Sequence, residues 1–69
     1  MDDPEMQKLE VKLSHWISHN KEHGRDFREW SEKAEEAGMH YVHEHMLQAA
    51  QQMDEASECL ARALELLKK

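Results

Sequence analysis

Apolar side chains recur at alternating steps of three and four along almost the whole of this 69-residue chain, a spacing that admits little besides long α-helices. In the first half the stripe runs Met6, Leu9, Leu13, Trp16, Asn20, His23, Phe27, Trp30, Ala34 and Ala37. In the second it runs Met39, Val42, Met46, Ala49, Met53, Ala56, Leu60, Ala63 and Leu67, with no polar interruption. Residues three and four apart share one face of a helix, so each half predicts one rod with one buried edge.

The punctuation fits two rods. Asp2 or Asp3 can cap a helix start, Pro4 suits a first turn, and Glu5 complements the positive end of the helix dipole. Lys68 and Lys69 complement the negative end of the second rod. Between the rods, Gly38 can take the left-handed conformation that ends one helix and lets the chain reverse. Gly24 permits two readings. After Asn20-Lys21-Glu22-His23 it can close a helix, giving a three-helix bundle; yet the stripe passes through it in phase, and an interior glycine costs only about 1 kcal/mol against alanine. The continuous helix, bent at most at Gly24, is the favoured reading.

The expected architecture is therefore all-α: residues 1–69 as a single domain, a long antiparallel helical hairpin. A rod from near Pro4 to near Ala37 would be about 50 Å long, and a lone hairpin of that length has one narrow seam. Chains this small gather only about 3–5 kcal/mol from a core unless disulfide, metal or association adds to it. Cys59 is the single cysteine, so no internal disulfide can form. A homodimer forming a four-helix bundle is the expected remedy. Ile17, Gly24, Ala50, Ser57 and Leu64, on one flank of the stripes, are the strip on which it would dock.

Charge narrows the partners. Nine Lys+Arg against 15 Asp+Glu give −6, which argues against nucleic acid and anionic membrane surfaces. No run approaches the ~18 apolar residues of a membrane span, and the opening Met1-Asp2-Asp3-Pro4 is unlike a secretory leader. With its lone thiol the chain reads as cytoplasmic.

Six histidines are the chemical signal. Imidazole is the commonest ligand for first-row transition metals and the side chain that titrates nearest neutrality. Protonating all six would carry the formal charge from −6 to 0. His15, His19 and His23 follow one another at i, i+4, a spacing that aims neighbouring rings to one side. If the chain folds back at Gly38, residues whose numbers sum to about 76–78 stand level, which puts Cys59 level with His19. Two of these histidines and the Cys59 thiolate would make a three-ligand site with an open fourth position, suited to zinc, nickel, cobalt or copper. Asn20 and His23, polar residues on the stripe, form a candidate polar core layer fixing register or oligomer number.

A secondary histidine cluster, His40, His43, Glu44 and His45, lies just past the turn. The dipole at a helix start would disfavour protonated imidazole there, although the order of residues is not the His-Glu-x-x-His of zinc hydrolases. No phosphate loop, nucleophile elbow or catalytic series is present, so no enzyme is expected.

The segment His15-Trp16-Ile17-Ser18-His19-Asn20-Lys21-Glu22-His23, then Phe27-Arg28-Glu29-Trp30 and an acidic, alanine-rich second half, resembles a group of small uncharacterised prokaryotic helical proteins with a His-Trp-Ile-x-His-Asn-x-x-His signature. The resemblance implies a compact helical domain over most of the chain and draws attention to His15, His19, Asn20 and His23. Two functions of different kind follow from the residues. The first is a small metal-binding carrier, buffer or sensor. The second is a non-catalytic module that associates with itself or with another helical protein, its histidines serving as polar packing.

Overall fold

A computed structural model describes residues 3–69 as two long helices packed against each other in a hairpin, α1 (Pro4–Glu36) and α2 (His40–Lys68). Asp3 is the N-cap of α1 and its carboxylate accepts from the Glu5 amide at 2.9 Å, with Pro4 beginning the first turn. The other capping candidate, Asp2, lies outside the described residues. Helix α1 continues through Gly24, which excludes the three-helix alternative.

The reversal is the one anticipated at Gly38. This residue has φ +81°, the left-handed region that glycine enters without a Cβ penalty. Its amide donates to the Glu35 carbonyl at 3.0 Å and the Met39 amide donates to Ala34 at 2.9 Å, the paired bonds of a Schellman motif. Helix α2 then starts at once, without a side-chain cap on Met39.

The seam is not the one the stripes predict. Its most buried residues are Leu13, Gly24 and Ser31 on α1 and Ala50 and Ser57 on α2, while Trp16, Trp30 and Val42 are 41 %, 57 % and 48 % exposed. The strip read from sequence as a docking flank is thus the line along which the two helices touch. The reason is steric: Gly24 and Ser31, and Ala50 and Ser57, repeat at seven residues, and such small side chains let two backbones approach as indole rings cannot. Each helix has rolled its small residues inward, leaving the large apolar residues along one open side.

Register follows the expected sum. A Cβ built on Gly24 would lie 3.9 Å from the Met53 Cβ, and Lys68 Nζ reaches Glu10 Oε1 at 3.8 Å near the open end. The Arg28 guanidinium donates to Asp54 at 2.6 Å beside Gly24. That pair is half-exposed, so it contributes less than about 1 kcal/mol and acts chiefly as a marker of alignment. The rod measures 54 × 14 × 12 Å.

Candidate functional site

Histidines 15, 19 and 23 form a ladder up α1. The ring centroids of His15 and His19 are 5.8 Å apart, those of His19 and His23 4.3 Å, and His23 lies 5.8 Å from Phe27. The closest approach is between the Nε2 atoms of His19 and His23, 2.9 Å apart, where one ring N–H donates to the other ring's lone pair. His15 and His19 are exposed, whereas His23 is half-buried beside the open apolar side.

Cys59 is not part of this group. It stands two residues beyond Ser57, which is buried in the seam; at 100° per residue its side chain leaves α2 about 200° from Ser57, on the far side from α1. There it is exposed, in a shallow depression with Glu58, Ala61, Arg62 and Glu65. Being level with His19 does not place it on the same face, and the three-ligand site expected within one chain is not assembled. Among the described residues, no group of three or more His, Cys, Asp or Glu side chains is positioned to hold a metal ion.

The expected polar layer is also displaced. Asn20 and His23 are half-buried, not enclosed, and His23 turns along its own helix to His19. The roll of α1 that brings Gly24 and Ser31 to the seam turns His23 toward the open side, while Asn20, about 20° around the helix from Leu13 and Ser31, stays at the seam's edge next to that side.

At the turn, the secondary cluster works as a fastening. His40 Nδ1 is 3.0 Å from Glu35 Oε2 and its Nε2 is 3.1 Å from Glu44 Oε1, so the ring lies between a carboxylate from each helix. The hydrogen bond that the ring donates to Glu35, then the negative charges of Glu35 and Glu44, raise its pKa above the usual 6.5. This reverses the expectation from the dipole alone: two carboxylates in contact outweigh a partial charge at the helix start. His43 Nδ1 donates to the Ser31 carbonyl at 2.8 Å, tying α2 to α1 at the closely packed Ser31, whose own hydroxyl donates to the Arg28 carbonyl at 2.6 Å. His45 Nδ1 donates to the Tyr41 carbonyl at 2.8 Å, within α2. Ser31 escaped the sequence reading; its signal was the seven-residue step from Gly24.

The open side is the remaining feature. Two shallow apolar grooves meet there and share Val42 and Met46: one is completed by Phe27, Tyr41, His45 and Ala49, the other by Trp30, Lys33, Ala34 and Met39. Lys33 Nζ lies over the Trp30 ring, 4.1 Å from its centre. Among the described residues, no helix is long and apolar enough to cross a membrane.

Residues 9–67 match a family model described as "Domain of unknown function (DUF8180)", and the chain belongs to that family. The match takes in most of both helices and the turn between them. No curated protein and no solved structure matches the chain.

Proposed function

We propose that the protein is a self-association module whose open apolar side packs against the same side of a second copy to make a four-helix bundle. The observation that carries this reading is the division of labour between the two sides of the helices. The seam within the hairpin uses small residues, with Leu13 and Ala50 its only buried hydrophobic side chains among the described residues. Trp16, Trp30 and Val42 stand exposed on one side, with Phe27 and Met46 partly covered beside them. Burying apolar surface at about 25 cal/mol per Å² is the main stabilising contribution available to a helical protein, and a lone hairpin leaves much of it unused.

A second copy fits this side better than an unlike partner does. On α2 the stripe alternates large and small side chains, Met46, Ala49, Met53, Ala56, Leu60 and Ala63, so an antiparallel copy sets large against small, and on α1 the large Trp16 and Phe27 flank the shorter Asn20. One surface thus carries both knobs and hollows, the self-complementarity that a two-fold interface demands. The extents also agree: a side 54 Å by 14 Å is comparable to the ~800 Å² per partner of a standard interface.

The test is the oligomeric state of metal-stripped protein, by sedimentation equilibrium across micromolar concentrations. A dimer is expected, and Phe27→Asp or Val42→Asp should shift it to monomer by burying an unpaired charge. A folded wild-type monomer throughout that range overturns the proposal.

A further inference from the structure

We propose that His19 and His23, met by the same pair from a second copy at the midpoint of α1, form a four-imidazole site for a divalent transition-metal ion. This rests on the self-association reading and specifies what the assembly would hold.

The donor geometry is close to that of a chelate. Two imidazole nitrogens bound tetrahedrally to zinc at about 2.0–2.1 Å lie about 3.3 Å apart. The Nε2 atoms of His19 and His23 are already 2.9 Å apart, so opening by a few tenths of an ångström would admit an ion in place of the shared hydrogen. Both rings would then carry their hydrogen on Nδ1. Among the described residues one chain contributes only two donors, because Cys59 faces away and no third His, Cys, Asp or Glu joins them. The site is incomplete without a second copy.

Symmetry decides where that copy's histidines lie. Open sides can stack about a two-fold axis along the rod, with α1 covering the other copy's α2, or about an axis across the rod, with α1 covering the other α1 in antiparallel fashion. In the first arrangement Asn20 and His23 press on the stripe of α2 around Met53, Ala56 and Leu60, where polar groups find no partners. In the second, an axis level with residue 21 pairs residues whose numbers sum to 42, so His19 of each copy faces His23 of the other and the two Asn20 lie within a turn of each other. Residue 20 is the midpoint of Pro4–Glu36, so an axis across the middle of α1 passes beside Asn20 with His19 and His23 next to it. The polar interruption of the stripe thus falls at the one level where antiparallel copies of α1 bring like residues together. Four neutral imidazoles suit zinc, cobalt, nickel or copper, and a chain of charge −6 favours a cation.

The experiment is titration of metal-stripped, full-length protein with zinc, read by calorimetry and native mass spectrometry, beside the oligomeric state in chelator. The expected result is one zinc per two chains, with saturable binding lost in His19→Ala and in the conservative His23→Gln. It should persist in His15→Ala and Cys59→Ser, and circular dichroism should show all four variants helical. A dimer that binds no zinc, binds one per chain, or loses binding with His15 or Cys59 overturns the site and leaves the self-association reading standing. A chain monomeric in chelator but dimeric with one zinc per pair supports the site and overturns assembly without metal. A monomer under both conditions overturns both.

Discussion

Replacing Gly24 by alanine measures how closely the helices approach. Gly24 is buried at the middle of the seam, where a methyl group would be expected to force the backbones apart. The distances argue otherwise: the added Cβ would lie 3.6 Å from Arg28 Nη1, 3.6 Å from Asp54 Oδ1 and 3.9 Å from the Met53 Cβ, all ordinary van der Waals contacts. No atom has to move, and glycine's backbone entropy cost is removed, so Gly24→Ala should stabilise the fold by about 0.5–1 kcal/mol. For a domain this small that is a rise in Tm of roughly 2–8 °C. Thermal melting by circular dichroism, with protein concentration fixed because association would itself shift Tm, is the assay. A fall in Tm would refute the reasoning, since it would require helices closer at Gly24 than 3.6 Å contacts allow. Gly24→Leu, whose longer side chain has no room beside Met53, should destabilise by about 1–3 kcal/mol.

Three further perturbations probe separate contacts. The Ser57 hydroxyl is buried without a hydrogen-bond partner, so Ser57→Ala should raise stability by about 1 kcal/mol in urea melts; a loss would mean that the hydroxyl is satisfied. Leu13 is the largest hydrophobic residue buried in the seam, and Leu13→Ala should cost about 2–5 kcal/mol, enough to abolish cooperative melting at ambient temperature; retention of the wild-type Tm would contradict its place there. Because the pKa of His40 is raised in the folded state, its contacts with Glu35 and Glu44 contribute fully below about pH 6.5 and are lost as pH rises through the higher folded value. The decline of Tm with rising pH should therefore be shallower in His40→Gln, and identical slopes would remove the ring from that role.

Legibility in the sequence divided along physical lines. Helix extents and the Gly38 reversal were readable because they depend on local chemistry: Pro4 and Asp3 at one end, glycine at positive φ at the other. The level of each residue on the opposite helix was readable too, since a three-residue connection fixes it. Rotation about each helix axis was not. The eye follows Trp16, Phe27 and Trp30 as the hydrophobic edge, but two helices alone pack best where side chains are smallest, at Gly24, Ser31, Ala50 and Ser57. A roll of this kind leaves heights intact and changes faces, so His19 and His23 meet along α1 as their spacing implies, whereas Cys59, level with His19, lies on the far side of α2. The clamp on His40 was hidden because Glu35 lies across the turn from it, and its approach depends on the path through Gly38.

Gly24 and Ser31 on α1, and Ala50 and Ser57 on α2, stand seven residues apart, so sliding α2 by two turns would set one small residue against another once more. The small residues by themselves therefore specify the alignment weakly. What forbids the slip is the shortness of Ala37-Gly38-Met39, whose hydrogen bonds to Lys33, Glu35 and Ala34 leave no slack, with His43 latched onto Ser31 just beyond. The bend therefore serves as the ruler of the whole rod. Lengthening it would convert a fixed hairpin into a set of staggered alternatives.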